Sequence, residues 1–79
     1  MTNKMGATML NMEFTKVDEL FVDQLELGDL VQIDGDIVEV IGIVPLTNGY
    51  AITYSNDFGE TDLVEVDDYA KFDLYIVAE

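Results

Sequence analysis

The chain has 79 residues, with 17 Asp and Glu against three Lys, a formal charge of −14, and no Arg, His or Cys. That excludes disulfides, thiolate and imidazole metal sites, and the Ser-His and Cys-His catalytic arrangements. So acidic a surface repels phosphate, which excludes sequence-independent nucleic-acid binding and anionic membranes; it attracts basic proteins or divalent cations.

A hydrophobic share of 49%, rich in Val, Ile and Leu, argues for a packed core rather than disorder. The length allows one domain. No apolar run is long enough to span a bilayer, and residues 1–12 lack the long apolar stretch of a signal peptide. The expected location is the cytoplasm.

Residues 1–12 hold all four Met and no acidic residue. The spacing of Met1, Met5 and Met9 would stack them on one helical face, but Gly6 and Thr8 favour a flexible tail, leaving 13–79 as the folded domain. From Met12 to Val17 the side chains alternate, with Phe14 and Lys16 facing away from Thr15 and Val17, and a first strand is expected there. Asp18 to Leu25 reads as a helical turn or irregular segment that ends at Gly28.

Two apolar strands follow, Leu30–Ile33 and Ile37–Val44, joined by Asp34-Gly35, a strong hairpin signal. Gly42 marks a bend or bulge in the second strand. Pro45, with no N–H to donate, is expected to end the ladder. Asn48-Gly49 reads as the next turn. Tyr50–Tyr54 then alternates, with Tyr50, Ile52 and Tyr54 sharing a face. A loop over 56–60 leads to a strand at Thr61–Val66. A turn at 67–70 precedes the last strand, Phe72–Val77, which sets Phe72, Leu74 and Ile76 against Asp73, Tyr75 and Val77.

Strands at intervals of roughly eight to twelve residues point to an all-β fold. The expected form is a small five-stranded antiparallel SH3-like barrel with at most one short helical turn. The run Leu27-Gly-Asp-Leu-Val-Gln-Ile-Asp-Gly-Asp-Ile-Val-Glu-Val-Ile resembles small SH3-like barrel proteins of actinobacterial phages, whose shared pattern is Gly-Asp-x-Val, an Asp-Gly-like turn and a Val-rich strand. The resemblance implies a small barrel and a phage or bacterial source, hence the host cytoplasm. It implies no activity and no cofactor.

Three groups of side chains are candidates for function. Glu39, Asp57, Glu60, Asp62, Glu65, Asp67, Asp68 and Asp73 form an acidic set that would face a basic protein surface. Tyr54, Phe58 and Tyr69, with Tyr75, would supply an aromatic peptide-binding surface, with Phe58 at a loop tip; the alternative is that Tyr50 and Tyr54 cover the core while Tyr69 and Tyr75 shield the barrel ends. Loop 55–62 is the best place for a hard cation, yet solvated turn carboxylates are the commoner use of such residues. Asp34-Gly35-Asp36 fails the EF-hand pattern, because Ile37 and Val38 stand where ligands belong. No metal is expected, and nothing resembles a catalytic pair in a substrate-sized cleft.

The expectation is a non-enzymatic acidic protein-binding module. In its sharpest form it is a phage-encoded inhibitor whose charge imitates duplex nucleic acid, which carries one charge per about 1.7 Å of axis. The alternatives are a structural or assembly subunit acting through self-association, and an ordinary acidic face that only keeps the protein soluble.

Overall fold

The computed structural model describes residues 13–56 and 58–78, so the expected tail over 1–12 and Asp57 lie outside the described residues. The elements are β1 (Glu13–Phe21), a 3-10 turn (Val22–Gln24), β2 (Leu30–Ile33), β3 (Asp36–Leu46), β4 (Gly49–Ser55), β5 (Thr61–Asp67) and β6 (Lys71–Ala78). They form one antiparallel sheet in the order β1-β6-β2-β3-β4-β5. The fold is all-β, as the strand spacing implies. The expected five-stranded closed barrel is not what forms: among the described residues there are six strands, and β1 and β5 do not pair. Charge gives a physical reason. Closing the sheet would bring the carboxylates of β1 (Glu13, Asp18, Glu19) beside those of β5 (Asp62, Glu65, Asp67), and like charges facing each other across strands are unfavourable.

The sheet must nevertheless curl. β5 and β6 stand four strand positions apart, which in a flat sheet is roughly 19 Å. Residues 68–70 link them, and a connection that short reaches at most about 14 Å. The roll brings one face of all the strands onto a common core of Val31, Ile33, Val38, Val40, Ile52 and Phe72. Register explains the sharing: Val31 sits opposite both Val38 and Leu74, and Ile52 opposite both Ile43 and Val64. The 3-10 turn plugs this face with Val22 and Leu25, 1% and 7% exposed. Its backbone is tied in by the Val22 N–H to the Ala70 carbonyl at 2.9 Å. Burying each such aliphatic side chain contributes about 1.5–3 kcal/mol.

Local chemistry sets the bends. In the β2–β3 hairpin Asp34 (φ 54°) and Gly35 (φ 86°) both lie at positive φ, the signature of a type I′ turn. Glu26 to Asp29 forms another turn, closed by the Asp29 N–H on the Glu26 carbonyl at 3.2 Å and by the Glu26 N–H on Asp29 Oδ2 at 2.9 Å. In β3 the register slips between Val40 and Gly42, so the expected bulge at Gly42 is present, with Ile41 as the extra residue.

Three details depart from the sequence expectation. β1 runs on to Phe21, because a second bulge at Val17 restores the alternation: Thr15, Asp18 and Leu20 then share the core side of the strand. The helical turn, at Val22–Gln24, falls within the stretch expected to hold it. Pro45 does not end β3; it pairs with Tyr50 inside the ladder. Leu46 and Gly49 close the two-residue turn as a hydrogen-bonded pair, so alternation aims the Pro45 nitrogen away from β4. Along β3, β2 reaches only Asp36–Glu39, which leaves that side of β3 open at Pro45 and the missing N–H without cost. Finally, the turn is Thr47-Asn48, one residue earlier than expected. Gly49 already belongs to β4, and glycine is needed there for close approach to β5 rather than for a positive φ.

Candidate functional site

The type I′ turn of the β2–β3 hairpin and the β4–β5 loop lie side by side. Together they line a cavity of about 560 Å³ with Ile33, Asp34, Asp36, Val38, Tyr54, Asn56, Glu60, Thr61 and Asp62. Ile33 and Val38 belong to the core, so the floor is apolar and the rim carries four carboxylates. Tyr54 is the aromatic wall, half-buried and packed on the core. Its phenol is pushed above the ordinary 10.0, first by burial and then by the negative charges of Asp62, Asp34 and Asp36. The four rim carboxylates give the cavity a negative potential, which attracts an ammonium or guanidinium group.

Asn56 organises the loop. Its Oδ1 accepts the N–H groups of Phe58 at 2.9 Å and Glu60 at 3.0 Å, while its Nδ2 donates to Glu60 Oε1 at 3.0 Å. Its own N–H donates to the Glu60 carbonyl at 2.9 Å. The Glu60 carboxylate is therefore held in place, and Phe58 is presented 88% exposed at the loop tip. Phe58 also lines a smaller cavity of about 270 Å³ with Phe14, Asp36 and Ile37.

The other sequence candidates are dispersed. Glu65 and Asp67 line a shallow cavity of about 490 Å³ at the far end of β5, with Leu46, Thr47, Asn48 and Val66. From Asp62 to Asp67 the strand advances roughly 17 Å, so these carboxylates form a separate group. Asp68 and Tyr69 continue it in the next turn, where the Tyr69 N–H donates to Asp67 Oδ1 at 2.9 Å. Tyr69 is 82% exposed and shields nothing, contrary to the end-cap alternative; Tyr75 is half-buried, its hydroxyl 3.4 Å from Gln32 Oε1. Glu39 lies on the opposite face of the sheet from the core, exposed and paired with Leu30 and Ser55. Asp73 is engaged by Lys16, Nζ to Oδ1 3.1 Å, and is the least available of the set. Among the described acidic candidates, Glu60 and Asp62 thus stand at one end of β5 and Glu65, Asp67 and Asp68 toward the other, while Glu39 and Asp73 lie apart on β3 and β6.

Tyr54, Glu60 and Asp62 are the sequence candidates brought together. Asp34, Asp36 and Asn56 join them, and the acidic and aromatic sets drawn from the sequence include none of these three. Their signal was present in part: Asp34 and Asp36 flank the hairpin glycine, and Asn begins the loop that Gly59 closes. Which turns become neighbours depends on the roll of the sheet, which no local pattern encodes. Among the described residues no group of three or more carboxylates converges closely enough to hold a metal ion.

Comparison with known proteins finds no family model, no curated protein and no solved structure that matches the chain. The site is therefore read from its own chemistry.

Proposed function

We propose that this protein is a non-enzymatic module that binds a basic protein surface through its carboxylates, with the Tyr54 cavity receiving a Lys or Arg side chain. One observation carries the reading. Between Lys16 and Lys71 the sequence contains no basic residue, and carboxylates line each of the three cavities described. The two described lysines are occupied within the fold: Lys16 by Asp73, and Lys71 by the ring of Phe21, 4.9 Å from its centroid. The charge is thus unneutralised over β2 to β5, where it raises the rate of encounter with a cationic partner.

In its specific form the proposal is a phage-encoded inhibitor of SH3-like ancestry, acting in the host cytoplasm by imitating nucleic-acid charge on a host protein. The resemblance of residues 27–41 to phage barrel proteins supports that form. A second reading, assembly through self-association, is favoured by the exposed apolar side chains Val44, Leu46, Leu63 and Ile76.

The test is a pull-down from bacterial lysate at low salt, eluted in steps of rising salt, with sizing of the pure protein alongside. Capture of a nucleic-acid-handling basic protein that is released at moderate salt, by a monomeric bait, is the expected result. Recovery of only a salt-resistant oligomer of the chain itself would overturn it in favour of assembly.

A further inference from the structure

The two edges of the sheet are built differently. β1 carries the devices that discourage strand addition: a bulge at Val17 and a lysine at Lys16. β5 has neither. It is seven residues long, pairs with β4 in unbroken register from Ser55↔Thr61 to Gly49↔Asp67, and contains no Pro, Gly or Lys. Its outer edge is unpaired among the described residues.

The backbone groups on that edge can be assigned. The Asn56 N–H bonds the Glu60 carbonyl, so alternation along the hairpin turns Asp62, Val64 and Val66 toward β4. Thr61, Leu63, Glu65 and Asp67 then aim their N–H and C=O groups outward. The Leu63 N–H conforms, since it bonds the Asp62 carboxylate at 2.8 Å rather than β4. On the outer face of the sheet these residues present Leu63, 53% exposed, followed by Glu65 and Asp67. A second copy of β5 laid antiparallel in full overlap would put Asp67 opposite Thr61 and Glu65 opposite Leu63, with the two Glu65 side chains as diagonal neighbours and no basic side chain to compensate any carboxylate, so the edge gains nothing electrostatically from its own kind. A basic strand meets complementary charge.

The geometry points to β5 as a strand-addition site for an extended, basic segment of a partner protein, with Lys or Arg opposite Asp67 and Glu65 and an aliphatic residue opposite Leu63. Main-chain hydrogen bonds would supply affinity and the alternate carboxylates the selectivity. This inference rests on the basic-partner reading and specifies how such a partner is held.

The test uses the full chain and the end-blocked peptide Lys-Val-Lys-Val-Val-Lys-Thr, which places these residues antiparallel to β5. Its comparison is a twin of the same charge, N-methylated at four central residues. Binding is measured by calorimetry at low salt, with amide exchange followed at Leu63 and Glu65. The expected result is that the unmodified peptide binds and slows exchange at both amides, and that the twin binds at least tenfold more weakly. L63P, which leaves the charge unchanged and removes an outward donor as Pro45 does in β3, should weaken binding similarly. Equal binding of peptide and twin, lost at high salt, would overturn strand addition while leaving the basic-partner reading intact. Absence of binding by either peptide would overturn the strand-addition site; the lysate experiment then decides separately whether any basic partner exists. The twin keeps the comparison decisive should L63P fail to fold.

Discussion

Gly49 in β4 and Val66 in β5 meet backbone to backbone. A Cβ on Gly49 would overlap the Val66 carbonyl oxygen and lie 2.9 Å from its carbonyl carbon and 3.0 Å from the Asp67 Cα. No flexible side chain is available to yield there, so the strands would have to part. Gly49→Ala is expected to cost about 3 kcal/mol, read as a fall in the denaturation midpoint. Gly42→Ala, whose Cβ would meet only the Thr53 side chain at 3.3 Å, should cost distinctly less. Equal losses would mean that the approach at Gly49 is not tight.

Asp34 is the one described non-glycine residue at positive φ. Asn tolerates that conformation better than other side chains, whereas a β-branched residue resists it. Asp34→Asn should leave stability unchanged or slightly higher while removing one carboxylate from the Tyr54 cavity. Asp34→Val should lower it by about 1–2 kcal/mol. The pair separates turn strain from charge in a single set of melts.

The phenol of Tyr54 should ionise above the ordinary tyrosine range, because burial and the carboxylates of Asp62, Asp34 and Asp36 all favour its neutral form. Ultraviolet titration of tyrosinate in the wild type and in Asp62→Asn checks this, with the variant expected to titrate lower. The linked stability follows in sign. It is fully present below the unfolded value of 10.0 and is lost as pH rises from there through the raised folded pKa. Lys16 behaves alike: its hydrogen bond to Asp73 and their charge attraction raise its pKa above 10.5, so that contribution also fades as pH climbs through the folded value. Both groups make the fold weaken in alkali. A melting temperature that stays flat from pH 9 to 11.5 would contradict both.

Asn56→Ala removes the acceptor for the Phe58 and Glu60 amides and the donor to the Glu60 carboxylate. A stability loss of about 1–2 kcal/mol is expected, together with faster exchange at those two amides. If the Tyr54 cavity receives a basic side chain, affinity for the basic partner should fall as well, since Glu60 is no longer held.

Added salt should raise the melting temperature, because most of the formal charge of −14 is self-repulsion. The same salt should weaken partner binding. Opposite trends for stability and affinity in one titration are the expected mark of functional charge on this scaffold, and parallel trends would argue against it.

Local features of the fold were legible in the sequence where one residue decides the geometry. Asp34-Gly35 specified a hairpin and Gly42 a bulge, and the alternation over Tyr50–Tyr54 identified the core face of β4. Val17 was not legible, because a bulge at a β-branched residue leaves no composition signal, and the end of β1 was misplaced with it. Pro45 misled for a related reason: a proline forbids only the hydrogen bond on its own side, and that side of β3 proved to be open. Of the site, Tyr54, Glu60 and Asp62 could be named from the sequence. Their union with Asp34 and Asp36 could not, since it depends on how a six-stranded sheet curls.

The placement of the lysines has a practical side. Within residues 13–78 the only amines are those of Lys16 and Lys71, both on the β1–β6 ribbon. Trypsin can cut nowhere between them, so even the unfolded chain yields Val17–Lys71, 55 residues, as one fragment. Amine-directed fluorophores and cross-linkers will mark that ribbon and leave β2 to β5 untouched, so a label installed this way reports on the carboxylate-rich part of the molecule without occupying it.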